Sequence, residues 1–214
     1  MSAPLTEMTP AGPARGGVVV IQEAFGITDY MQGVLRDLAE AGWHAVAPHL
    51  FHRSGDPVFG YDEYEKLMPI FAEINAEGIA ADVDDALASL TAAGFAPAQT
   101  AIVGFCMGGS IAFLAATRLS GISCAIAYYG GAIAKFADEK PKVPMQMHFG
   151  EKDQGIPMSD VEAIKAKRGG DSEIYVYADA GHGFHCDERG SYHEVSAKAA
   201  WPRFIDFLKK HLKK

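Results

Sequence analysis

Six short apolar runs, most of them followed by a stretch of helical spacing, restrict this chain to few architectures. They are GGVVVIQ (16–22), WHAVAP (43–48), TAIVGF (100–105), ISCAIAYY (122–129), VPMQMHFG (143–150) and EIYVYA (173–178). The runs are continuously apolar and rich in β-branched residues, so the strands they form need cover on both faces. Helical spacing marks Asp29 to Ala41, residues 79 to 93 and Met107 to Leu119 between them. A further helix is expected after Pro157, opened by a Ser159-x-x-Glu162 capping box. The last helix spans about Tyr192 to Leu212, with a break or kink expected at Trp201-Pro202. Strands alternating with helices in this way predict an α/β fold, with a mostly parallel central sheet covered by helices on both faces.

In such sheets ligands bind beyond the carboxyl ends of the strands. One of those ends is distinctive. Gly104-Phe105-Cys106-Met107-Gly108 carries a strand directly into a helix, with the Gly-x-nucleophile-x-Gly spacing of a nucleophile elbow and cysteine in the place of serine. Glycines on either side remove the Cβ atoms that would block so sharp a turn. A helix N-terminus also favours a thiolate, through its unpaired N–H groups and the macrodipole. By itself the motif equally describes a glycine-rich turn with a buried cysteine, and its partners must decide.

A thiol nucleophile needs a base, and the base needs an orienting group. Asp153 follows the run VPMQMHFG and His182 follows EIYVYA, so both lie at carboxyl ends of strands on the same sheet edge as Cys106. Nucleophile, acid and histidine occur in the chain order of α/β-hydrolases. Glu151 is the rival for the acid role. Glu23 ends the first run, where a carboxylate is costly unless paired or protonated.

With 214 residues and about half of them hydrophobic, the chain suffices for one large core. Residues 16–214 are expected to form a single domain. Residues 1–15, with three prolines and no periodicity, read as an N-terminal arm or a short edge strand. A formal charge of −8 argues against nucleic acid or an anionic membrane as partner, because phosphate recognition needs clustered cations. The basic Lys209 to Lys214 run fits a helix C-terminus. No apolar stretch approaches the length of a membrane span, and three cysteines at uneven spacing make no disulfide framework. A cytoplasmic protein is expected, monomeric with a dimer as the alternative, acting on a small molecule.

VVVIQEAFGI, WHAVAPHLFHR, GFCMGG, HFGEKDQGIP and AGHGF, in this order, resemble the dienelactone hydrolase family from about residue 16 to the end. The resemblance implies an α/β-hydrolase fold, Cys106 as nucleophile, Asp153 as acid and His182 as base. It implies that Glu23 helps deprotonate the cysteine and that the N–H groups of Ala24 and Met107 form the oxyanion hole. The implied reaction is hydrolysis of a lactone or carboxylic ester through a thioester, the dienelactone product being maleylacetate in aromatic degradation. It needs no cofactor and no metal.

Two positions depart from the family pattern. The arginine expected four residues after the histidine is Cys186 here, and the region after the second strand offers Arg53 and then an acidic, aromatic run. Arg53 or Arg189 would have to hold a substrate carboxylate from non-matching positions, since cysteine has no bidentate fork. Tyr64 and Phe184 are the expected apolar contacts to substrate. Two other classes compete. His182, His185 and Cys186 with His49 and His52 offer zinc-type ligands, and an activated Cys106 would also suit a thiol redox or sensor protein.

Overall fold

The computed structural model describes residues 2–213. Along the chain run β1 (Leu5–Met8), β2 (Gly17–Ile21), α1 (Asp29–Glu40), β3 (His44–Pro48), α2 (Tyr64–Glu73), α3 (Ala76–Ala92), β4 (Thr100–Phe105) and α4 (Met107–Arg118). They are followed by β5 (Cys124–Tyr128), α5 (Ile133–Phe136), β6 (Met145–Gly150), α6 (Met158–Arg168), β7 (Ser172–Tyr177) and α7 (Glu194–His211). The strands form one seven-stranded sheet in the order β1-β3-β2-β4-β5-β6-β7. All neighbours pair parallel except β1, which runs antiparallel to β3. Every residue of β2, β4, β5 and β6 is buried. Successive side chains point to opposite faces, so both faces of the sheet centre are covered.

Of the two expectations for the first fifteen residues, the short edge strand is the one found: Leu5 to Met8 pair with Pro48 to Ala45. Helix α1 shows why the sequence pattern works. Thr28 caps it by accepting a hydrogen bond from the Met31 N–H at 3.3 Å, while Tyr30, Met31, Val34, Leu35 and Leu38 bury one face. Each such side chain contributes roughly 1.5–3 kcal/mol of transfer free energy.

Two local expectations are corrected. Helix α6 has Pro157 at its N-cap and no side-chain cap; Ser159 already lies inside the first turn, and Glu162 pairs with Lys165 at 2.9 Å. Proline here opens the helix by its preset φ, which leaves no capping role for Ser159. Helix α7 runs through Trp201 and Pro202 from Glu194 to His211. Pro202 and Lys198, whose carbonyl the ring leaves without its usual donor, are both exposed, so water can take the place of the lost bond.

The stretch 49–63 is irregular apart from one 3-10 turn at His52–Ser54. The fully buried Asp82 of α3 accepts two hydrogen bonds from Arg53 at 2.8 Å and lies 3.1 Å from His52 Nε2, tying that turn to the body of the protein. Beyond it, Phe59, Tyr61 and the α2 residues Leu67 and Phe71 pack with Ala24, Phe25 and Met107 in a small cluster, which Tyr61, Phe71 and Met107 join to the main core. A small group of apolar side chains therefore lies over the carboxyl ends of β2 and β4.

Candidate active site

The elbow is built by close packing of backbone on backbone. Cys106, between β4 and α4, has φ 55 and ψ −114, a conformation that L-residues adopt only when their surroundings enforce it. A Cβ on Gly104 would stand 1.9 Å from the Gly108 carbonyl oxygen, and one on Gly108 would stand 2.3 Å from that of Ile21. Only glycine lets the start of α4 approach both β4 and the end of β2. The Cys106 N–H donates to Tyr128 O at 3.0 Å, tying the turn to β5.

Asp153 and His182 come from the loops after β6 and β7. Asp153 is buried, and its Oδ1 accepts hydrogen bonds from the N–H groups of Gly155 and Ile156 at 2.8 and 3.0 Å. Its Oδ2 lies 2.7 Å from His182 Nδ1, which donates to it. His182 Nε2 then stands 3.1 Å from Cys106 Sγ. Ser191 steadies the histidine loop by donating to the His182 carbonyl at 2.6 Å. Glu151, the rival acid, is exposed and accepts from the Asp179 N–H. Three residues far apart in sequence thus form one continuous chain of contacts.

Burial opposes the charge on His182, but its hydrogen bonds to Asp153 and Cys106 outweigh that effect and push its pKa up to about 10. An unfolded histidine titrates near 6.5. The charged form therefore stabilises the fold fully below about pH 6.5, and that contribution disappears as pH rises through about 10. Urea denaturation at several pH values is expected to show wild type and His182→Gln furthest apart in the acidic range and converging towards pH 10. A stability gap that widens with pH would contradict this arrangement.

Glu23 is fully buried, and burial raises its pKa while Arg189 lowers it. Arg189 Nε is 3.8 Å from Glu23 Oε2, and its guanidinium lies 5.0 Å from the ring centroids of both Phe25 and Tyr61. Among the described residues neither Glu23 oxygen makes a hydrogen bond. The N–H groups of Ala24 and Met107 likewise donate to no acceptor among those residues, and both residues belong to the small cluster under α2.

The adjoining cleft of about 450 Å³ is lined by Tyr61, Tyr64, Gln154, His182, Arg189 and Ser191 among others. Tyr64 is where a substrate contact was expected, 59 % exposed at the rim. Phe184 is not: it is fully buried, 4.9 Å from the Tyr177 ring and 5.5 Å from that of Tyr129, because the left-handed Gly183 turns it into the core. Arg53 is also absent from the cleft, being engaged by Asp82. Cys186 is a buried thiol that burial pushes up to about 12. Two cations line the cleft: Lys152, which pairs with Asp179, and Arg189, seven residues beyond the histidine, a spacing that no periodicity marks.

The histidines do not converge. His49 contacts Thr6 and Asp56, His52 contacts Asp82, and His185 Nδ1 contacts the Tyr30 hydroxyl. No group of three or more His, Cys, Asp or Glu among the described residues is placed to hold a metal ion. No described helix is long and apolar enough to cross a membrane.

Known proteins resemble the chain over most of its length. The model of the "Dienelactone hydrolase family" matches residues 5–212. A Salmonella typhimurium protein named "Putative carboxymethylenebutenolidase" is 33% identical over 204 residues, covering 89% of this chain and 76% of the relative. The "Carboxymethylenebutenolidase" of Pseudomonas putida is 27% identical over 208 residues, covering 94% and 88%. The crystal structure titled "Putative Dienelactone Hydrolase from Klebsiella pneumoniae" superposes with a TM-score of 0.89 at 29% identity, covering 98% of this chain and 93% of that one.

Proposed function

From the premise that the chain belongs to the dienelactone hydrolase family, with its α/β-hydrolase fold and hydrolysis of ester or lactone bonds, we propose that Cys106 is the nucleophile. The observation that carries this reading is the unbroken contact chain Cys106 Sγ, His182 Nε2, His182 Nδ1, Asp153 Oδ2.

In this mechanism the proton of the Cys106 thiol resides on His182, whose raised pKa favours the imidazolium, and the thiolate adds to the substrate carbonyl. The N–H groups of Ala24 and Met107 receive the developing oxyanion; aimed donors of this kind contribute about 3–4 kcal/mol each to the transition state. The tetrahedral adduct collapses to a thioester as His182 returns its proton to the leaving oxygen. Water then gives a proton to His182 and its oxygen to the acyl carbon, and the thiolate leaves. Asp153 keeps the imidazole in the Nδ1–H tautomer throughout. Glu23 is a second acceptor for the thiol proton, suited to it by a carboxyl pKa that burial raises.

The substrate is a small lactone or carboxylic ester, with Tyr64 at the cleft rim and Arg189 as the cation available to a substrate carboxylate. A dienelactone opened to maleylacetate is the specific case implied by the family. The proposed setting is the cytoplasm, where the free Cys106, Cys124 and Cys186 stay reduced.

Mass spectrometry of enzyme quenched during turnover of a slow ester tests the mechanism. The peptide carrying Cys106 is expected to gain the mass of the acyl group. An acyl group on another residue, or steady turnover with Cys106 left unmodified, would refute it. A panel of lactones and esters with and without a free carboxylate then tests Arg189, whose replacement by methionine is expected to raise KM only for the carboxylates.

A further inference from the structure

A second chain of hydroxyl, histidine and carboxylate lies at the carboxyl end of β3. Thr6 belongs to the edge strand β1, His49 directly follows β3, and Asp56 stands just beyond the 3-10 turn. In the sheet order, β3 and β2 separate this group from β4 and its elbow. Thr6 Oγ1 is 2.8 Å from His49 Nε2, and His49 Nδ1 is 2.5 Å from Asp56 Oδ2. The order of atoms is that of Cys106, His182 and Asp153, with oxygen in the place of sulfur. A carboxylate can only accept, so Nδ1 carries the proton and the Thr6 hydroxyl donates to Nε2. In that polarity an imidazole serves as base to a nucleophile.

The three segments are joined without these side-chain contacts. Thr6 sits opposite Ala47 in the pairing of β1 with β3, the His49 N–H donates to Pro4 O, and the Asp56 N–H donates to Phe51 O, both at 3.0 Å. Asp56 has φ 55, in the left-handed region, and it precedes Pro57, which biases its predecessor towards extended backbone. Such strain in a non-glycine residue persists only where the surroundings impose it, and it gathers at functional sites. Here the strained residue is the one that supplies the carboxylate. The His49 side chain is 18 % exposed, and Thr6 is half-buried on the outermost strand of the sheet, so a small reagent reaches the group from solvent.

We infer that Thr6 is a second nucleophile of this protein, a site of covalent acylation by small activated esters. It is independent of the assignment of Cys106. Thr6 Oγ1 adds to the carbonyl carbon of the ester as its proton passes to His49 Nε2. The adduct then expels the leaving oxygen, which takes that proton, and the acyl group stays on Thr6 as an ester. Asp56 accepts from the Nδ1–H throughout and steadies the imidazolium between the two transfers. Base assistance of this kind contributes about 10²–10⁴-fold, which suits donors with a good leaving group.

The probe is 4-nitrophenyl acetate acting on Cys106→Ala protein, whose cleft has no thiol. Thr9, exposed and three residues along the same segment, is the reference within the molecule. Peptide mass spectrometry with fragmentation is expected to find acetyl on Thr6 at a rate about 10²-fold or more above that on Thr9. In urea, where His49 is no longer held against Thr6, the two threonines are expected to label alike. Adding His49→Gln to the same protein is expected to slow labelling of Thr6 about 10²-fold. Equal labelling of the two threonines in the folded protein, or rapid labelling of Thr6 in the His49→Gln protein, overturns the assignment. Thr6→Val in the otherwise wild-type chain is expected to leave ester turnover unchanged. A fall in that turnover with the melting temperature preserved would show that Thr6 serves the first site, and the independent nucleophile would be refuted.

Discussion

Cys106→Ala is expected to lower kcat for a 4-nitrophenyl ester or a lactone by on the order of 10⁴ to 10⁶ while leaving the fold intact. The size follows from the site. His182 and Asp153 remain aligned by their 2.7 Å hydrogen bond, but with no Sγ the imidazole has only water to activate. The acyl transfer through a thioester then has no first step. The substitution is structurally mild, because Cys106 makes its stabilising contacts through the backbone, the N–H to Tyr128 O and the carbonyl to the Gly109 N–H, both 3.0 Å. Steady-state kinetics alongside thermal denaturation separates the two effects. Turnover close to wild type in a folded Cys106→Ala protein would eliminate the nucleophile assignment; loss of turnover with loss of structure would call for Cys106→Ser, which restores the side-chain volume and is expected to retain only a small fraction of the activity.

Gly104→Ala carries the second large effect, this time on stability. Its Cβ would lie 1.9 Å from the Gly108 carbonyl oxygen and 2.9 Å from the Gly109 nitrogen, which are backbone atoms and cannot rotate away. Either β4 or the first turn of α4 must move, and both are held by buried neighbours. A cost of about 3 kcal/mol or more is expected, in the upper range for single substitutions. In a chain of this size that lowers Tm by roughly 6–12 °C. Gly12→Ala, where no atom lies within 4 Å of the added carbon, is the control and is expected to leave Tm unchanged. Comparable melting temperatures for the two variants would show that the elbow tolerates displacement, contrary to its packing.

The contrast between Asp153 and Arg189 shows how much of the site could be read in advance. Asp153 and His182 were legible because each follows an apolar strand, and parallel topology brings the carboxyl ends of such strands to one edge. The elbow was legible because glycine is required wherever backbone meets backbone. Arg189 carries no such mark: it reaches Glu23 from an irregular loop whose path depends on what it packs against. Arg53 had the same residue type and a plausible place in the chain, yet Asp82, in a helix 29 residues away, holds it elsewhere. Phe184 was misplaced for a related reason, since the turn at Gly183 decides which way the following side chain points. The continuity of α7 through Pro202 likewise depended on exposure, which leaves the freed Lys198 carbonyl to water.

What the amino-acid sequence determined alone is the order and type of the buried strands, the strained glycine-flanked turn at Cys106, and the pair Asp153 and His182 at neighbouring strand ends. These follow from local rules: periodicity of burial, the steric freedom of glycine and the parallel crossover. The tertiary structure decided which cations line the cleft, which aromatic side chains line it, and that Glu23 is buried beside Arg189. Those outcomes depend on contacts between segments far apart in the chain. Their energies come from desolvation and charge pairing, which exist only once the segments have met.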